Sequence, residues 1–556
     1  MATTYSARPE SAARASNGPR LDTSLPRAGR WAFLAILLGG FAYAGFSILV
    51  DTTQVGETMA TGVFLFLGLA LLIALGFEFV NGFHDTANAV ATVIYTNSLP
   101  ASLAVVWSGA WNFAGVMFSS GAVAYSIITL LPVDLILHVG SNAGFAMIFA
   151  LLLAAVIWNL ATWFVGLPNS SSHALIGSIL GVGLANQLMS SGTGGTSGVD
   201  WAQVNKVLTG LWMAPLFGFI GALLLLRVMK LFLRNPKLYA EPDVGAPPPK
   251  GIRALLIFTC TAVSFSHGSN DGQKGMGLIM LILIGCAPTA YALNRTMPER
   301  DTPGFIATAA AAEGAFAAHA GPADAGPARG GDVAGARTTL TVALQAKKAD
   351  NPAVYGAIDT LSRDVSERIG GFGSLEKVPA AATPNLRNDM YLVLDTTKLV
   401  TASKDKAAKT FTGPELKAIG DYQANLEKGT RYIPLWVKIT VALALGLGTM
   451  VGWRRIVVTV GERIGKSHLT YGMGASAELV AAAMIQIADK YGLPVSTTHI
   501  LTSGVAGASV ANGAGLRPRT IVNMALAWVM TLPAAMLLSG GLYWLMLTLL
   551  DAFGAR

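Results

Sequence analysis

The sequence predicts an all-α polytopic membrane protein: two inverted-topology repeats with broken or re-entrant helices, about 10–12 membrane segments, and a polar insertion in the second repeat. Three observations carry this. Only 13% of the residues are charged and 53% are hydrophobic, whereas soluble domains carry about 25% charged residues. Runs near or above the roughly 18 residues that a spanning helix needs recur along the chain. Two polar motifs each occur twice, in the same order, in the two halves.

Residues 1–30 form a polar tail with Arg8, Arg14, Arg20, Arg27 and Arg30, expected on the cytoplasmic side because basic residues beside spans report orientation. Segment 31–50 is long for a signal-peptide core and has no clear cleavage site, so it reads as a retained extra span. Repeat 1 covers 60–233, with apolar runs at 60–80, 101–131, 143–166, 174–189 and 207–233. A basic cytoplasmic loop follows at 234–252. Repeat 2 covers 253–294 and 432–550, with runs at 253–266, 275–293, 432–452, 474–488, 498–511 and 520–550.

Between the two parts of repeat 2 lies 295–431, with 17 Lys/Arg, 16 Asp/Glu and no spanning run. Its Ala- and Gly-rich part at 307–337 is expected to be disordered, and 350–430 to form a small helical subdomain. The net charge of +8 does not signal nucleic-acid binding, since the basic residues lie beside spans. Cys260 and Cys286 sit in apolar runs and read as small buried thiols with no disulfide framework.

The first motif runs Asn81-Gly-Phe-His84-Asp85-Thr-Ala-Asn88. A helix puts Asn81, His84, Asp85 and Asn88 on one face, and Glu78 extends it by a turn. It returns as Ser266-His267-Gly-Ser-Asn270-Asp271-Gly-Gln273-Lys274, with Gly82-x-His84-Asp85 matching Gly268-x-Asn270-Asp271. The second motif, Leu167-Pro-Asn-Ser170-Ser171-Ser172-His173, recurs as Leu493-Pro-Val-Ser496-Thr497-Thr498-His499. Asp85 and Asp271 are 186 positions apart, but Pro168 and Pro494 are 326 apart. The 140-residue difference matches the 137 residues of the polar stretch 295–431.

Charge bias sets the orientation. The loop at 51–61 holds Asp51 and Glu57 and no base, whereas Arg227, Lys230, Arg234, Lys237, Lys250 and Arg253 surround the loop between repeats. Repeat 1 then begins outside and repeat 2 inside. The turn at 127–142, with Asp134 and no Lys or Arg, corresponds to the basic 453–468, and the 295–431 insertion falls on the periplasmic side.

Pro168 and Pro494 each precede Ser/Thr triplets, a strong helix start whose free N–H groups and positive dipole end suit an anion. Two such starts face to face would hold a tetrahedral oxyanion. The alternative is that the hydroxyls satisfy backbone or pack helices in lipid. Asp85 and Asp271 repel an anion, so they imply an accompanying cation, proton exchange, or a structural cap. Glu78, Asn81, His84, His173, His267, Asn270, Glu478 and His499 are candidates for coupling or gating, or are packed polar partners.

With both motif pairs in view, the chain resembles the inorganic phosphate transporter family, most closely its bacterial low-affinity Pit-type permeases. The residues carrying this are Gly82–Ala89, Ser266–Gly275 and the two Pro-x-Ser-Ser/Thr-Ser/Thr-His stretches, and the likeness covers about 60–293 and 432–550. It implies phosphate bound between two inverted repeats, lined by Asp85, Asn88, Ser170, Ser171, Ser172, Asp271, Gln273, Lys274, Ser496, Thr497 and Thr498. Sodium-coupled members repeat Gly-Ala-Asn-Asp-x-x-Asn in both halves; here His84 replaces the first Asn, and Lys274 stands where the second motif would have Asn.

Lysine cannot ligate sodium, so the expectation is proton symport of phosphate as a neutral complex with Mg²⁺, Ca²⁺, Mn²⁺, Co²⁺ or Zn²⁺, whose metal Asp85 and Asp271 contact. Lys274 pairing with Asp271 or with phosphate stays open. No permanently bound cofactor is expected. Arsenate should mimic the substrate, the protein should sit in the bacterial inner membrane in contact with lipid, and a homodimer is compatible with the sequence. Sodium-coupled phosphate or sulfate symport and an uncoupled channel or receptor are the alternatives. An intramembrane Ser/His/Asp hydrolase is remote, because every element is duplicated and no Gly-x-Ser-x-Gly motif occurs, so the chain is not expected to be an enzyme.

Overall fold

The structure, a computed structural model, describes residues 27–56, 61–128, 130, 141–190, 199, 201–242, 246–321 and 332–552. The expectations for residues 1–26, for the acidic loop beyond residue 56, for most of the turn at 127–142 and for residues 322–331 therefore fall outside the described residues.

The first half contributes α1 (Arg27–Gln54), α2 (Thr61–Tyr95), α3 (Ala101–Phe118), α4 (Ala122–Ile128), α5 (Asn142–Phe164), α6 (Ser171–Ser190) and α7 (Trp201–Phe232). The second half opens with α8 (Lys250–Cys286). The insertion holds α9 (Thr302–His319), α10 (Val333–Ala346), α11 (Pro352–Phe372), α12 (Thr383–Thr401) and α13 (Gly413–Thr430). The membrane part resumes with α14 (Leu435–Gly448), α15 (Tyr471–Lys490), α16 (Thr497–Asn512) and α17 (Pro518–Ala552).

Seven helices among the described residues are long and apolar enough to cross a membrane: α1, α2, α3, α5, most of α7, α15 and α17. The remaining segments counted from the sequence are helices too, but α8 carries the polar motif through its middle, and α6 and α16 begin at the Ser/Thr triplets. Runs 253–266 and 275–293, read as separate, join in the single helix α8. Likewise α2 continues past residue 80 through the whole first motif. The motif glycines relax propensity but, unlike proline, remove no donor and do not break the helix.

The packing carries the imprint of the duplication. A Cβ on Gly181 of α6 would strike the Met536 carbonyl of α17, and one on Gly507 of α16 would strike the Phe219 carbonyl of α7. These glycines are 326 positions apart, the spacing of the second motif pair. At the other spacing, Gly82 of α2 closes on the Leu445 carbonyl of α14, and Gly268 of α8 on the Asn112 carbonyl of α3. The helix that begins at the Ser/Thr triplet of each half thus lies against the last helix of the other half.

The insertion has its own core, built on Phe305, Phe316, Leu340, Ile358, Leu361, Met390 and Tyr422. This corrects the expectation of disorder at its start. Thr302–His319 is a helix that buries Phe305, Ala309, Ala312, Ala315 and Phe316, and its alanine richness reflects the best helix former, not a lack of structure. Asp389, 1% exposed, receives both Arg337 and Arg368, which holds α10, α11 and α12 together.

Candidate functional site

The two polar faces of α2 and α8 meet the starts of α6 and α16 in the interior of the membrane part. Both triplets sit where the sequence places them, at helix N-termini that follow a non-helical Leu-Pro turn. Ser496 is the N-cap of α16, its hydroxyl accepting from the His499 N–H at 3.2 Å. Ser170 does the same for the His173 N–H at 3.1 Å. The first N–H groups of each helix have no place in the intrahelical ladder, so both starts present donors.

Those two starts converge on one carboxylate. Asp85 accepts the Thr498 hydroxyl on Oδ1 and the Ser171 hydroxyl at 3.2 Å on Oδ2. Ser171 is also 3.3 Å from Asp271 Oδ2. All of these groups are 3% exposed or less. The half-sites are related but unequal. Asn88 Nδ2 donates to Thr498 Oγ1 at 2.8 Å, and its counterpart Lys274 donates to Ser172 Oγ, the counterpart of Thr498, at 2.5 Å. Lys274 Nζ also sits 2.6 Å from Asp271 Oδ2. The second half-site therefore contains a tethered ammonium bridging carboxylate and hydroxyl, where the first has a neutral amide. Lys274 thus pairs with Asp271 in this structure.

The other candidates fall around this centre. His84 Nδ1 is 3.5 Å from Asp85 Oδ1, and its Nε2 is 3.5 Å from the Thr162 hydroxyl. His267 Nε2 stands 3.5 Å from Asp271 Oδ2 and 3.8 Å from Asp85 Oδ2. The rings of His173 and His499 are 4.5 Å apart, and Trp528 covers His499 at 4.4 Å. Glu78, one side of the site, takes a 3.4 Å bond from Asn81 and packs where Gly275 leaves room on α8. Glu478 accepts the Thr259 hydroxyl at 2.5 Å. Each of these two carboxylates keeps one buried oxygen without a hydrogen-bond partner, as do Asn88 Oδ1, Asp271 Oδ1, Thr497 Oγ1 and His267 Nε2. Buried polar atoms are nearly always satisfied, so these unsatisfied ones make this region the candidate site for a polar ligand.

Gln273 is a correction. Its amide donates to Asp489 at 2.5 Å and its carbonyl accepts from the Val123 N–H at 2.9 Å, so it ties α8 to α15 and α4 and does not line the site. Asn270 is a strap: it donates to the Leu493 carbonyl at 3.1 Å and accepts from the Val495 N–H at 3.4 Å, fixing the turn before α16. Sequence reasoning missed Asn112, which holds His267 Nδ1 at 2.7 Å, and Asp489, which also takes the Ser269 hydroxyl at 2.7 Å. Both lie outside the repeated motifs. Asn169, inside the first Leu-Pro motif, links Asn159 and Thr531 beneath the first triplet.

A profile of the phosphate transporter family matches residues 81–247 and 239–539, which takes in all four motifs. The chain belongs to the phosphate transporter family. Among its relatives within that family, the low-affinity inorganic phosphate transporter PitA of Escherichia coli K12 is 41% identical over 513 residues, covering 88% of this chain and 99% of PitA. PitB of the same strain is 39% identical over 507 residues, with 88% and 99% covered. A probable low-affinity inorganic phosphate transporter of Bacillus subtilis is 26% identical over 479 residues, with 86% and 96% covered. A solved sodium-dependent phosphate transporter aligns over 87% of this chain and 99% of its own, at 18% identity and a TM-score of 0.46. The family and these relatives are phosphate transporters, in agreement with the expectation that the chain is not an enzyme.

Proposed function

We propose that this protein is a secondary active transporter of the bacterial inner membrane that imports inorganic phosphate, as a neutral metal–hydrogen-phosphate complex, in symport with protons. The observation that carries the reading is the convergence of two helix N-termini and their hydroxyls on a buried carboxylate pair. The hydroxyls and free N–H groups suit phosphate oxygens. The carboxylates alone would repel the same anion, and a divalent cation between them and the phosphate removes that conflict. Taken as a whole, the cargo then crosses without net charge.

Proton coupling is favoured by the inequality of the half-sites. An inorganic cation bound between Asp271 and Ser172 would have to occupy the space of the Lys274 ammonium. Movable protons need carriers, and Glu78, Glu478 and His84 are buried titratable groups on either side of the site. The test is phosphate uptake into proteoliposomes under an imposed gradient. An inward proton gradient should drive uptake without sodium, and arsenate should compete. Equal uptake driven by a sodium gradient alone removes the proton reading and leaves phosphate transport standing.

The repeats are read as inverted, with the tail and the loop between repeats inside and the insertion outside. Ala346, exposed at the end of α10, reports on this. Ala346→Cys should react with an impermeant thiol reagent on intact spheroplasts. Labelling only after lysis reverses the topology.

A further inference from the structure

We infer that His267, held by Asn112, is the third ligand of the cargo's metal ion, and that it biases the site toward phosphate complexes of Zn²⁺, Co²⁺ and Mn²⁺ over those of Mg²⁺ and Ca²⁺. This rests on the metal–phosphate reading above and adds a residue and a selectivity to it. One ligand atom each from Asp85, His267 and Asp271 lies within 4.8 Å of the others, all buried.

The spacing separates this from a simple ion cluster. Nε2 is 3.5 Å from Asp271 Oδ2 and 3.8 Å from Asp85 Oδ2. An imidazolium–carboxylate hydrogen bond closes to about 2.7–2.9 Å. Donor atoms at the corners of a tetrahedron around an ion with bonds of about 2.1 Å stand about 3.4 Å apart. Both distances from Nε2 are too long for the hydrogen bond and lie within about 0.4 Å of the second geometry. The same two carboxylate oxygens also face Ser171 Oγ at 3.2 and 3.3 Å, and Asp271 Oδ2 faces Lys274 Nζ at 2.6 Å, so a phosphate oxygen on the ion would sit beside a hydroxyl and an ammonium.

The ring is also set for ligation. Nδ1 lies 2.7 Å from Asn112 Oδ1, an oxygen that only accepts, so Nδ1 carries a proton and Nε2 is the nitrogen turned toward the two carboxylates, where a metal ion would take the place of its proton. Metal-binding histidines usually have their second nitrogen fixed in this way. Nε2 has no hydrogen-bond partner although the residue is 2% exposed. The amide of Asn112 is itself oriented, donating to Ser108 at 3.4 Å, and Ser108 takes the Ser264 hydroxyl at 2.9 Å. The equivalent of His267 in the first half is Asn81, so the imidazole is a feature of one half-site only. Imidazole favours borderline transition ions, while Mg²⁺ and Ca²⁺ prefer oxygen alone.

The experiment uses the full chain in detergent with Mn²⁺ and inorganic phosphate, read by electron spin-echo modulation. Wild type should show ¹⁴N modulation from one imidazole, which changes to the ¹⁵N pattern when the protein is made with ¹⁵N-histidine. His267→Asn should lose the modulation and lower the Zn²⁺-over-Mg²⁺ preference of phosphate uptake at least about tenfold. Asn112→Ser keeps the imidazole and should keep the modulation, while weakening Mn²⁺ binding about 10–100-fold. Mn²⁺ bound by wild type without ¹⁴N modulation, or an unchanged Zn²⁺/Mg²⁺ ratio in His267→Asn, overturns the inference and leaves phosphate transport untouched. Loss of phosphate uptake by wild type in the gradient assay is a different failure, that of the transport reading.

Discussion

Asp85→Asn should abolish phosphate uptake in proteoliposomes, by about 100-fold or more, while the protein still inserts and runs as a single species. The substitution keeps the volume, and a carboxamide oxygen can still accept from Thr498. What it removes is the negative charge that both helix starts point at and that, in the proposed transport of a metal–phosphate complex, holds the cation against phosphate. A hydrogen bond to a charged group contributes about 1.5–3 kcal/mol, and Asp85 takes two, from Ser171 and Thr498. Asp271→Asn should be equally inactive and also less stable, because it leaves the Lys274 ammonium buried without its partner at 2.6 Å. Breaking a buried pair in this way costs about 3–5 kcal/mol. Thermal melting of the two variants side by side reads the difference. Retained uptake in both removes these carboxylates from the site.

Gly268→Ala should cripple the protein for a different reason. A Cβ at Gly268 meets the Asn112 carbonyl, carbon and Cα, all backbone of α3, so no side chain can swing aside. The two helices must separate, and with them the Asn112–His267 bond and the face bearing Asp271. Overpacking of this kind costs about 1–3 kcal/mol, and the displacement of His267 and Asp271 should remove most uptake as well. Gly251→Ala on the same helix, with nothing within 4 Å, is the control and should melt like wild type. Equal melting of the two alanine variants contradicts the tight crossing.

The motifs made most of the site legible. Asp85 recurs as Asp271 and the first triplet as the second, and repetition at two different offsets is hard to explain by packing alone. Lys274 was legible as an oddity, though its pairing was not, because the choice between carboxylate and cargo is made by three-dimensional distance. Gln273 was misplaced for a reason available in the sequence: two positions after Asp271 on a helix is about 200° around the axis, so it points away. Asn112 and Asp489 carry no motif, and only the packing of α3 and α15 on α8 brings them in. The helix at Thr302–His319 was misread because its alanine-rich composition resembles that of a disordered segment, and only the periodic burial of Phe305, Ala309, Ala312 and Phe316 distinguishes them.

The exchange of partners between the halves, α6 against α17 and α16 against α7, has a consequence for biosynthesis. The ribosome delivers the first triplet and its helix more than three hundred residues before Pro518–Ala552, the helix that closes over Gly181. Until that final segment enters the bilayer, α6 has a face of small residues with no neighbour, at a depth where lipid satisfies nothing polar. The nascent chain must therefore wait, through the making of the whole 295–431 insertion, for Pro518–Ala552 before the first half-site is sealed. A ribosome that stops early leaves behind a polypeptide carrying both aspartates and both triplets but open on one flank, a natural target for membrane quality control.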